Sequence, residues 1–241
     1  MIVEFPDHLK LKMGTSGSSR IVPVIDDSPD LAEETFYQLE EAGYQGEILV
    51  GPFDNVDELA HQLSQYAHAV VCDHRLMQGG LANFYGAELV ASLYDLKKPA
   101  ILITQYPNDS HTTIGAFRKK IPVLLARNEL NPMSLKRGID QCADELNGHI
   151  TRERRPHRTI IRVEQIDKES GQDVIEAFVT GWKPKQAVRF PASLIPESIL
   201  ESVQPGTHLF AKVNVGAVRP EDLFFKDFEI APEPDEDDGL A

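Results

Sequence analysis

The 241-residue chain is 41% hydrophobic and 26% charged, with a formal net charge of -14 at pH 7, a composition that fits one large globular domain or two small ones. Residues 20–150 carry 10 basic against 19 acidic side chains and residues 151–241 carry 12 against 17, which excludes a general nucleic-acid binder. Two cysteines with no metal-ligand spacing argue against a disulfide framework or a zinc site, and the absence of a long apolar run predicts a cytoplasmic protein with no membrane span.

Residues 1–19 begin with a short mixed segment around Val3 and end in a Gly/Ser stretch, Gly14 to Ser19, that reads as a flexible link. From residue 20 onward, apolar runs alternate with helical periodicities, the pattern of a parallel sheet with helices on both faces. A first strand is predicted at about 20–25. Ser28-Pro29 then supplies an N-cap and a first-turn proline, Ala32, Phe36, Leu39 and Ala42 follow at helical spacing, and Gly43 stops the helix. A second strand is predicted at Glu47–Val50, and a second helix after Asn55 with Leu59, Ala60 and Leu63 on one face. Ala69–Cys72 forms a third strand closing on Asp73. A helix over about Asn83–Asp95 comes next, then a strand at Ala100–Ile103 ending at Thr104. A short helix starting near Asp109 or Ser110, a strand at Pro122–Ala126 ending at Arg127, and a helix bearing Leu135, Ile139, Cys142 and Leu146 complete the set. Cys72 and Cys142 read as small core hydrophobes. Five βα units over residues 20–150 make an α/β, flavodoxin-like domain with a five-stranded parallel sheet, usual strand order 2-1-3-4-5.

Residues 151–158 contain Arg152, Arg154, Arg155 and Arg158 and read as a linker, a solvated hinge more often than a stretch that binds an acidic surface. From 159 to 231 the period changes. Val174–Val179 and Leu209–Val215 alternate, Phe224–Ile230 adds another strand, and glycines and prolines punctuate them. The expectation is a small antiparallel β-domain, a partly closed barrel with a short helix within Pro196–Val203 and Trp182 packed at its edge. Residues 232–241 are an acidic tail of disordered composition.

Two of the predicted strands close on carboxylates, one on Asp26-Asp27 and the other on Asp73. The carboxyl ends of neighbouring parallel strands form the ligand crevice of such a sheet, so three acids are expected to meet. Like charges that close repel, and such a cluster holds a divalent cation or shifts its pKa values. His74 reads as a loop residue aimed away from Asp73, and His61 and His68 as surface residues.

Val24-Ile25-Asp26-Asp27-Ser28-Pro29, Val70-Val71-Cys72-Asp73 and Ile101-Leu102-Ile103-Thr104 together resemble the receiver domain of the two-component response regulators, over about residues 20–147. The resemblance implies that Asp73 accepts a phosphoryl group and that Mg2+ is held by Asp26, Asp27, Asp73 and the backbone carbonyl of Arg75. It implies a switch hydroxyl at Thr104. It also implies a histidine kinase or other signalling protein as partner, an effector protein contacted through protein–protein interaction, and no enzymatic activity beyond self-phosphorylation from a phosphodonor.

The sequence departs from that family at three places. Arg127 stands where the family has a lysine followed by proline, and a planar guanidinium is not a compact ammonium. It could contact a phosphoryl group or pair with Asp73 and neutralise the cluster. Gln105 replaces a small residue, and Leu124 stands where an aromatic is usual. The long loop from Met77 to Tyr85 precedes Gly86, the match to the family's loop glycine. These departures leave an alternative open: a phosphorylation-independent pseudo-receiver that acts as a scaffold or adaptor, for example in a bacterial defence or stress operon. A phosphohydrolase is disfavoured, since Asp26 and Asp27 are adjacent and no Asp-x-Asp motif is present.

Overall fold

Short β-branched runs bounded by polar residues form the first sheet. In the computed structural model, which describes residues 20–77, 79–105, 113–169 and 171–232, the strands are β1 (Ile21–Ile25), β2 (Gln45–Ile48), β3 (Val70–Asp73), β4 (Ala100–Thr104) and β5 (Val123–Ala126). All pair in parallel, in the order β2-β1-β3-β4-β5. β3 and β4 are buried throughout, as parallel strands covered on both faces must be. β2 begins two residues before the predicted segment. Its backbone takes up register where Ile21 meets Gln45, and Val50 is 64% exposed beyond the strand end.

Helices α1 (Pro29–Glu41) and α5 (Pro132–Leu146) cover one face of the sheet, and α2 (Val56–Tyr66), α3 (Gly86–Asp95) and α4 (Thr113–Phe117) cover the other. Alternation along the strands serves both cores. Val22, Val24 and Val71 pack with Leu39, Leu135 and Ile139, whereas Ile25, Val70 and Cys72 pack with Leu63, Leu89 and Leu93. Asn55 and Asn131 cap α2 and α5 by accepting backbone N–H bonds. Ser28 occupies the N-cap of α1 as expected, but its side chain makes no capping bond; its N–H is instead held by the Asp26 carboxylate at 3.0 Å. α3 starts later than predicted, at Gly86, where a Cβ would lie 1.9 Å from the carbonyl oxygen of Asp73. Only glycine allows the helix to start against that strand end. The expected start of α4 near Asp109 lies outside the described residues, as do the segment 1–19 and the acidic residues from 233 onward.

The second sheet comprises β6 (His157–Glu169), β7 (Gln172–Val179), β8 (Val188–Pro191), β9 (His208–Val213) and β10 (Phe225–Ile230), antiparallel in the order β10-β9-β6-β7-β8. A short helix, α6 (Glu197–Leu200), follows β8. Register shifts in β6 and β10 mark bulges that bend the sheet. The ladder stays open among the described residues, yet the rings of Phe190 on one edge and Phe225 on the other stack at 4.4 Å. The sheet therefore curls until its edges meet through side chains.

The four-arginine stretch is not a free hinge. Arg152–Arg154 is one turn of 3-10 helix, and Arg154 is 4% exposed. Its guanidinium forks onto Glu145 of α5 at 2.9 and 2.8 Å, donates to the carbonyls of Arg118 and Lys119, and lies over the Phe224 ring. Arg118, also buried, donates to the carbonyls of Ile121 and Glu221 and to Asp222 at 2.8 Å. Arg219 completes the junction by donating to Glu129 and to the carbonyl of Leu124. Three arginines thus fasten the β-domain to the α4, β5 and α5 side of the first domain.

Candidate functional site

Register places the site. Ile25 pairs with Cys72, Asp73 with Ile103, and Thr104 with Ala126. Asp26, Asp73, Thr104 and Arg127 therefore stand side by side at the carboxyl ends of β1, β3, β4 and β5, the crevice position of an open parallel sheet. A cavity of about 250 Å³ opens there, lined by Asp26, Asp27, Ser28, Leu31, Asp73, Arg75, Thr104 and Gln105.

The centre of the cluster is a three-way ion pair. Nη2 of Arg127 lies 2.6 Å from Oδ2 of Asp26 and 2.7 Å from Oδ1 of Asp73. Its Nη1 donates to Oγ1 of Thr35 on α1 at 3.2 Å. The remaining oxygens are also engaged: Oδ1 of Asp26 accepts the N–H of Ser28 at 3.0 Å, and Oδ2 of Asp73 accepts the N–H of Arg75 at 2.7 Å. Both carboxylates are nearly buried, at 7% and 9% exposure. Burial pushes both pKa values up, opposed by the backbone N–H donors and by Arg127.

Asp27 is engaged elsewhere. Its Oδ2 accepts the N–H of Gly79, 2.7 Å away in the loop after β3. A Cβ at Gly79 would come within 2.7 Å of the Asp27 backbone oxygen, so the loop can lie against Asp27 only with glycine there. Arg75, whose carbonyl is the expected metal ligand, donates its N–H to Oδ2 of Asp73.

The acids and the arginine converge, but not as a divalent-cation cage. Five of the six carboxylate oxygens of Asp26, Asp27 and Asp73 already accept a donor from the protein. Among the described residues, no group of three or more His, Cys, Asp or Glu side chains is arranged to hold a metal ion. As arranged, the carboxylates of Asp26 and Asp73 are turned toward Arg127 and backbone donors rather than toward a shared metal position.

His74 stands in the loop just past β3 with its ring turned from Asp73, as expected, and it is buried there. It is 2% exposed, stacks on Tyr85 at 5.1 Å, and its Nε2 lies 3.0 Å from Oγ1 of Thr113 at the start of α4. Burial, with Arg75 nearby, lowers its pKa to about 4, so the ring is neutral at pH 7. His61 and His68 are exposed. Trp182 packs against the β-domain core and donates to the carbonyl of Ala217 at 2.8 Å. Sequence reasoning missed the contacts of Thr35, Gly79 and the buried arginines Arg118 and Arg154. The glycine in a long loop and the arginine run were visible signals, but neither names its contact.

Parallel order 2-1-3-4-5, two acids and a hydroxyl at the strand ends, and a basic residue after β5 stand together. The first domain is receiver-like in fold. No protein-family model matches the sequence, and no curated protein matches it. Solved structures similar to the receiver-like domain include a response regulator receiver domain protein from Clostridium thermocellum, at 14% identity and TM-score 0.40, which covers 53% of this chain and 96% of its own. A response regulator receiver domain protein from Methanospirillum hungatei JF-1 is 19% identical over 54% of this chain and 97% of its own, at TM-score 0.41. The signal receiver domain of an HD domain-containing protein from Pseudomonas fluorescens Pf-5 is 15% identical over 57% and 96%, at TM-score 0.42. These matches cover about half of this chain. No helix among the described residues is long and apolar enough to cross a membrane.

Proposed function

We propose that this protein is a signalling adaptor whose receiver-like domain works without phosphorylation of Asp73. The observation that carries this reading is the position of Arg127 Nη2, in hydrogen-bonding contact with both Asp26 and Asp73. Phosphoryl transfer to a carboxylate needs a nucleophilic oxygen, which each accepted hydrogen bond weakens, and a cation that offsets charge on the transferring group. Here one oxygen of Asp73 is bonded to Arg127, the other to the N–H of Arg75, and the cation is part of the chain.

The output in this reading is protein binding. The β-domain is fastened to α4 and β5 by Arg118, Arg154 and Arg219, so both domains present one fixed surface to a partner. That partner is a signalling protein, such as a histidine kinase docked without phosphotransfer, or an effector. The protein itself turns over no substrate.

A phosphorylated switch is the second reading. It is favoured by one observation: Asp73 and Thr104 line the same cavity. It requires Arg127 to leave both acids. Incubation with acetyl phosphate and Mg2+, read by intact mass, separates the two. The adaptor reading expects no added phosphoryl group. A gain of one phosphoryl group that disappears in Asp73→Asn supports the switch and ends the adaptor reading.

A further inference from the structure

We infer that Arg127 excludes divalent cations from the acid pocket, taking over as a covalently attached cation the charge-balancing role that a bound metal ion would otherwise fill. The inference deepens the adaptor reading and rests on it for the identity of the pocket.

Three features carry it. The guanidinium does more than lie near the acids. One nitrogen, Nη2, bonds one oxygen from each, at 2.6 and 2.7 Å, which is the bridging position between two carboxylates. The side chain is anchored from outside the cluster, because Nη1 donates to Thr35 Oγ1, whose own hydroxyl donates to the Leu31 carbonyl of α1. Asp27, the third acid, gives its Oδ2 to the N–H of Gly79, which reduces what it can offer an entering ion. An entering ion would have to break the two Arg127 bonds and then reside beside the displaced positive charge. A lysine at this position would carry the same charge without the planar fork that reaches the two acids and Thr35 together.

The test is Mn2+ binding followed by electron paramagnetic resonance. The wild-type protein is expected to leave Mn2+ free at millimolar concentration. Arg127→Gln, which keeps a polar side chain but removes the charge, is expected to bind at least tenfold more tightly than wild type, and adding Asp26→Asn to it should abolish the gain. Arg127→Lys, which keeps the charge but not the fork, is expected to bind Mn2+ more tightly than wild type and less tightly than Arg127→Gln. Wild-type binding that is lost in Asp26→Asn overturns the inference, and this arm does not depend on the folding of the Arg127→Gln variant. A folded Arg127→Gln variant with no gain overturns it as well. The two readings fail separately. A wild type that binds Mn2+ but takes no phosphoryl group sinks the exclusion and leaves the adaptor. A wild type that is phosphorylated without binding Mn2+ does the reverse.

Discussion

At Asp26, Asp73 and Arg127, removing one partner and removing one charge have opposite consequences. Arg127→Ala leaves two nearly buried carboxylates facing each other, a change expected to destabilise the fold by about 3–5 kcal/mol. Asp73→Asn removes a carboxylate whose pKa is raised by burial and leaves Arg127 paired to Asp26. It is expected to leave stability unchanged or raise it by about 1 kcal/mol. Urea unfolding of the two variants beside wild type checks the pair. The sign with pH follows from the raised pKa values. Between 3.8 and the raised values, the folded state binds protons that the unfolded state has released, so the contribution of these two acids to stability falls as pH rises through that window. Arg127→Gln should steepen that dependence relative to wild type. The sequence shows that three acids, a threonine and an arginine end neighbouring strands. It does not show that Arg127 reaches Asp26, 101 residues away, because side-chain reach depends on register and on Thr35 of α1.

At the scale of elements, α4 is the piece that joins the site to the β-domain. His74 follows Asp73 and bonds Thr113 at one end of α4. A Cβ at Gly115 would lie 3.1 Å from Pro191 of β8, and Arg118, just after the helix, reaches Asp222. His74 binds its proton less readily folded than unfolded, so its contribution to stability is present above its ordinary value of 6.5 and is lost as pH falls toward about 4. His74→Phe, which keeps a ring against Tyr85, should remove a pH-dependent loss of roughly 3 kcal/mol across that window. Unfolding midpoints compared at the two ends of the window test this. Arg154→Ala strands Glu145 beneath the junction and should cost about 3–5 kcal/mol in the same assay. The order of the five βα units was legible because parallel strands read as continuous apolar runs between amphipathic helices. Arg152, Arg155 and Arg158 are exposed as expected, and Arg154 departs from that reading for the converse reason. Local composition marks Arg154 as solvated, while Glu145 and two backbone carbonyls supply what its charge needs. The β-domain was legible as alternating strands, but its strand order was not, since β9 pairs with β6 across more than one intervening segment.

For the molecule as a whole, the account predicts one body rather than two domains on a tether. Trp182 is the single tryptophan and reports on the β-domain, while far-UV circular dichroism reports on both domains. Their denaturant transitions should coincide in wild type and separate in an Arg118→Ala, Arg154→Ala double variant. Separate transitions in wild type would mean that the arginine junction does not couple the domains. A fixed pair of domains whose acid pocket is bridged by its own arginine presents the same surface whether or not a phosphodonor is present. The most direct test of that claim is the nitrogen-15 spectrum of the arginine side chains, with the Arg127 signal identified by its loss in Arg127→Lys. The account predicts a resolved, slowly exchanging Arg127 guanidinium whose resonances do not move on adding millimolar Mg2+. A rotationally averaged Arg127 signal, or one displaced by Mg2+, would contradict it.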